Sequence, residues 1–65
     1  MSIGENIKNL RKNRNFTQAQ LAEMVGVGQS MIAQIERGTK VPTMTLGMDI
    51  AQALKCRYSD LINID

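Results

Sequence analysis

Few side chains in this chain could do chemistry. It has no histidine and one cysteine, Cys56, so the usual zinc ligand sets and an internal disulfide both lack their donors. It has no glycine-rich phosphate loop and no carboxylate pair beside an activated nucleophile, so no enzyme chemistry and no cofactor are expected. What remains is recognition: amides at Gln18, Gln29 and Gln34, a hydroxyl at Ser30, and cations at Arg37 and Lys40. A carboxamide carries a donor and an acceptor side by side, a hydroxyl takes either role, and a cation only donates. Such groups hold a partner rather than break its bonds.

Most of these residues lie in or just beyond the stretch from Thr17 to Glu36. Leu21, Ala22 and Val25 recur at helical spacing, and Thr17 with Gln20 makes a capping box, which predicts a helix over 18–25. Gly26 ends it where a left-handed residue is needed, and Ile32 and Ile35 resume the period in a second helix over 29–36. Joined by Gly26-Val27-Gly28 alone, the two must cross steeply around a shared core, a helix-turn-helix. On a helical wheel Ile32, Ile35 and the stem of Glu36 turn inward. Ser30, Ala33, Gln34 and Arg37 turn outward, with Gln29 at the tip. Small and amide side chains on an outward face suit entry into the major groove of DNA, about 12 Å wide. No outward glutamate remains there to repel phosphate; a plain solvated polar face is the alternative.

The rest of the chain supplies further helices. Ser2 and Glu5 cap a first helix over 3–13, striped by Ile3, Ile7 and Leu10 and basic at its end through Lys8, Arg11, Lys12 and Arg14. Phe16 stands where a hydrophobic staple would precede the Thr17 cap. Gly38-Thr39-Lys40-Val41-Pro42 is a connector, and Thr43 caps a fourth helix over 44–54 with Leu46, Ile50, Ala51 and Leu54 apolar. A fifth helix over 58–63 is expected to take its cap from Ser59 or to start in a looser turn. Tyr58, Leu61, Ile62 and Ile64 offer more apolar surface than so short a helix hides, so they are assigned to a dimer interface. Cys56 reads most simply as a small buried apolar residue; a redox sensor would need an exposed, electropositive setting.

Gln18, Leu21, Ala22, Gly26, Val27, Ile32, Ile35 and Glu36, followed by Arg37-Gly38 and Pro42, resemble the Cro- and lambda-repressor-like (Xre) family of helix-turn-helix domains. Arg11 and Ile50-Ala51-Gln52-Ala53-Leu54 extend the resemblance over nearly the whole chain. It implies an all-α domain of five helices and a prokaryotic or phage transcriptional regulator of the repressor kind, binding a palindromic operator as a homodimer. The third helix would lie in the major groove, with Gln29, Ser30 and Gln34 at base edges, because an amide matches adenine's donor and acceptor pair. Gln18 would meet a phosphate at the start of the second helix, and Arg37 and Lys40 would meet phosphates from the connector. The resemblance also pairs Glu36 with Arg11 in a bridge between the first and third helices. It puts a bulky apolar residue where this chain has Gly47, so Met44 and Met48 are expected to fill the gap, or the helix start is loose.

Composition agrees with that picture. At 65 residues the chain is one domain over 1–65, near the size at which a core stands without staples and buries about 60% of the unfolded surface. Net charge is +2, but residues 1–40 carry +3 and residues 41–65 carry −1, which gathers positive potential on the half with the helix-turn-helix. No apolar run approaches the roughly 20 residues that span a bilayer, the first residues lack a signal-peptide core, and the lone cysteine suits a reducing cytoplasm. The competing class is an antitoxin-like or adaptor module whose main partner is a protein.

Overall fold

The computed structural model describes residues 2–62, and these residues form helices and connecting turns with no strand. The order is α1 (Ile3–Asn13), α2 (Gln18–Val25), α3 (Gln29–Arg37), α4 (Met44–Ala53) and α5 (Tyr58–Ile62). Local chemistry sets the starts. Ser2 Oγ accepts from the Glu5 amide at 3.2 Å while Glu5 Oε1 accepts from the Ser2 amide at 3.2 Å. Thr17 and Gln20 repeat that reciprocal box at 3.0 and 2.8 Å, and Thr43 Oγ1 accepts from the Leu46 amide at 3.2 Å. The start of α5 departs from expectation. Asp60, not Ser59, supplies the side chain: its Oδ2 accepts from the Arg57 amide at 3.0 Å, the half of a capping box that an arginine before the helix still permits.

The first four helices stop by one device. A left-handed residue follows each end, the next one at Gly26 (φ 77°) and Gly38 (85°) and the second at Asn15 (62°) and Lys55 (56°). The next amide then reaches back to a carbonyl five residues earlier: Phe16 to Arg11, Val27 to Ala22, Thr39 to Gln34 and Cys56 to Ala51, all at 2.9–3.1 Å. These paired bonds satisfy carbonyls that a helix end leaves open.

The core is a single cluster. Ile7, Leu21, Ile32, Ile35, Ile50, Leu54 and Leu61 are fully buried, with the small side chains of Ala22 and Ala51 buried among them. Each helix gives at least one residue to it, so none is stable apart from the others. Leu61 corrects its assignment to a dimer interface: it is sealed inside this core, because a five-residue helix packed on α1 and α4 can turn only one large apolar residue fully inward. Tyr58 is half-buried against the same cluster, Ile62 remains exposed, and Ile64 lies outside the described residues.

Two glycines set how closely helices approach. A Cβ on Gly4 would collide with the Ile35 carbonyl oxygen and lie 3.0 Å from that of Glu36, so α1 crosses α3 backbone to backbone. A Cβ on Gly47 would lie 2.8 Å from Tyr58 Cε1. The space beside Gly47 therefore belongs to the Tyr58 ring, not to Met44 and Met48, which are 68% and 54% exposed. Side chains of α1 also finish later helices: Asn6 Nδ2 donates to the Leu61 carbonyl at 2.9 Å, and Arg14 Nε, just past the end of α1, to the Leu54 carbonyl at 2.8 Å. No helix among the described residues is long and apolar enough to cross a membrane.

Candidate nucleic-acid interface

The pairing of α2 with α3 builds the surface of interest. Gly26 reverses the chain after α2, and Gly28 begins α3 with no side chain to cap it, so the first amides of α3 stand open beside Gln29 and Ser30. Ile32 and Ile35 anchor the inner side of α3, which fixes what the outer side shows. Gln29, Ser30 and Arg37 are exposed there, with Ala33 and Gln34 half-buried between them. Lys40 is exposed on the connector that follows. Only backbone groups of this face are tied down: the Gln34 carbonyl accepts from the Thr39 amide at 3.0 Å and from Thr39 Oγ1 at 3.1 Å. Among the described residues, no intramolecular hydrogen bond engages the side chains of Gln29, Ser30, Gln34, Arg37 or Lys40.

Glu36 lies just behind that face, and the structure brings Arg11 to it. Arg11 Nε donates to Glu36 Oε2 at 2.7 Å and Arg11 Nη2 to Oε1 at 3.1 Å, a two-pronged pair with side chains only 9% and 3% exposed. The remaining arm, Nη1, donates to the Phe16 carbonyl at 2.8 Å, so one guanidinium joins α1, α3 and the turn into α2. Burial pushes the Glu36 carboxyl up. Hydrogen bonds from Arg11 and Gln18 and the charges of Arg11 and Lys8 outweigh it and hold the group below the usual carboxylate range. Glu36 is therefore ionised at neutral pH, yet its charge is matched before it reaches the surface.

Gln18 sits where α2 begins, but half of its amide is already engaged: Nε2 donates to Glu36 Oε1 at 3.0 Å. Sequence reasoning placed Gln18 towards a phosphate and missed this inward bond, which only a contact 18 residues away in the chain reveals. Arg14, counted among the basic residues of the first helix, is half-buried and spends its Nε on the Leu54 carbonyl at the end of α4. Cys56 is half-buried; burial pushes its thiol up and the Asp60 carboxylate adds to that, with Arg14 offsetting part, so it is not an activated thiolate. Among the described residues no cluster of His, Cys, Asp or Glu could hold a metal ion.

Comparison with known proteins places this geometry. A helix-turn-helix family model matches residues 7–61. The P22 c2 repressor, solved in complex with a synthetic operator, superposes with a TM-score of 0.92 at 34% identity, covering 100% of this chain and 98% of that one. The immunity repressor protein of Bacillus phage phi105 is 37% identical over 62 residues, 95% of this chain and 43% of the phage protein. The antitoxin PezA of Streptococcus pneumoniae is 35% identical over 63 residues, 97% of this chain and 40% of the antitoxin. The chain thus spans less than half the length of these two relatives. With five helices in the same arrangement and a family match over most of its length, the chain belongs to the lambda-repressor-like helix-turn-helix family.

Proposed function

We propose that this chain is a sequence-specific DNA-binding transcriptional regulator, acting as a repressor, that reads the major groove with α3. One observation carries the reading. The outward face of α3 holds the amides of Gln29 and Gln34 and the hydroxyl of Ser30, none engaged by another described residue, on a frame that superposes on an operator-bound repressor. Gln29 and Gln34 then pair with adenine edges and Ser30 with a base or phosphate. Gln18, Arg37 and Lys40 meet the phosphate backbone and set the register. Two copies bind a palindromic operator, with Ile62, 46% exposed on α5, at their contact. Selection of binding sites from a random duplex pool tests this: a symmetric consensus with half-sites about one helical turn apart is expected, and no enrichment would refute it.

The similarity to an antitoxin favours one other reading, a module whose first partner is a protein. Purification with a tightly bound protein, and no preference among duplex sequences, would put that reading ahead.

A further inference from the structure

Most of the polar side chains buried here serve helix ends or helix crossings, but the Glu36 carboxylate does something more. It touches Gln18, the residue at the first position of α2, through Oε1, the oxygen that Arg11 Nη2 also reaches. An ionised carboxylate only accepts, so it dictates which end of the Gln18 amide faces it: the nitrogen turns to Glu36. That nitrogen carries two hydrogens that point in different directions, and the bond to Glu36 uses one.

We propose that Glu36 is a positioning residue for DNA backbone binding, holding the Gln18 amide by one N–H so that the other is aimed at a phosphate. The inference rests on the DNA-binding reading given above and assigns a part to a residue that never touches DNA. Without the carboxylate the amide is free to turn its carbonyl oxygen outward, and a phosphate repels an oxygen as readily as it accepts an N–H. Arg11 completes the arrangement by matching the charge of Glu36, so that an acid beside a polyanion costs little repulsion. Lys8, one helical turn before Arg11 and near enough for its charge to be felt at Glu36, adds a cation to the same corner.

The test is a double-mutant cycle read on DNA rather than on stability. Affinity for a random duplex is measured at fixed salt for the parent, Gln18→Ala, Glu36→Gln and the double variant, each checked for helicity by circular dichroism. A hydrogen bond to a charged group makes the expected loss for Gln18→Ala about tenfold. Glu36→Gln should lose most of the same factor, and adding it to Gln18→Ala should change nothing further. An equal loss in both backgrounds would make Glu36 merely structural and overturn the proposal, as would no loss in the parent. A second measurement needs no variant. In the labelled parent, one of the two Gln18 side-chain amide protons should shift strongly on duplex addition while its partner, held by Glu36, stays; both moving together, or neither, would refute it. If the parent binds duplex and Lys40→Ala weakens it while Gln18→Ala does not, this proposal alone fails. If the parent binds no duplex at low salt, the functional reading fails with it.

Discussion

Replacing either member of the Arg11–Glu36 pair by an apolar side chain, which offers its partner no acceptor or donor, should come close to unfolding the domain. The pair is bidentate at 2.7 and 3.1 Å with side chains 9% and 3% exposed, so removing one partner strands the other charge away from water. Such a loss is worth about 3–5 kcal/mol. A domain of 65 residues has a total stability of about 3–10 kcal/mol, so Arg11→Met or Glu36→Met alone consumes much of it. The double Met variant removes both charges and fills the volume with apolar atoms, and should recover at least about 2 kcal/mol relative to the sum of the singles. Urea denaturation followed by circular dichroism at pH 7 measures all four proteins. Losses that add within about 0.5 kcal/mol would show that the residues are not coupled and refute the reasoning. Acid gives an independent check. The folded-state pKa of Glu36 is lowered from 4.5, so its contribution is complete above that value and disappears as pH falls through the lower folded value. Below about pH 4.5 the parent should therefore lose stability more steeply than Glu36→Gln.

Gly4→Ala should destabilise by more than helix propensity would gain, roughly 2 kcal/mol or more from forcing α1 off the α3 backbone, and a thermal melt no lower than the parent's would refute that. Gln34→Ala should leave stability nearly unchanged yet cost ~1–3 kcal/mol at one operator position and flatten the preference there, which binding to a panel of single-base operator variants reads directly. Lys40→Ala should weaken binding to every duplex alike and make the log–log salt dependence shallower by about 0.9 for each phosphate no longer neutralised; an unchanged slope places the connector away from DNA. Ile62→Glu, at an exposed position, should keep the fold and abolish cooperative filling of a full operator, and undiminished cooperativity would locate the interface elsewhere.

The parts of this fold that sequence makes legible are those settled within one helical turn. Ser2 with Glu5, Thr17 with Gln20, and Gly26 and Gly38 each act on neighbours three to five residues away, so helix limits fall within a residue of those read from spacing. The inward and outward sides of α3 follow from the same periodicity. What spacing does not reveal is which residue meets which across the core. Gly4 looks like a poor helix former until the Ile35 carbonyl is brought against it, and Gly47 looks like a hole until the Tyr58 ring lies over it. Leu61 and Ile62 are chemically alike neighbours, and only the packing of α5 makes one core and the other surface. The inward half of the Gln18 amide was hidden for the same reason.

The bonds from Asn6 to Leu61 and from Arg14 to Leu54 have a consequence for how the chain acquires its shape. A five-residue helix has almost no stability alone, since nucleating a helix costs more than one turn returns. Here α5 forms only against α1 and α4, its bond to α1 spans a separation of 55 residues, and Leu61 reaches the core only when it does. During synthesis the first four helices therefore emerge with their central apolar cluster still open at the place Leu61 closes. Folding must wait for the last turn to leave the ribosome, and it should then proceed in a single cooperative step. A nascent chain stalled before residue 58 would be a sticky, protease-sensitive intermediate rather than a smaller working domain.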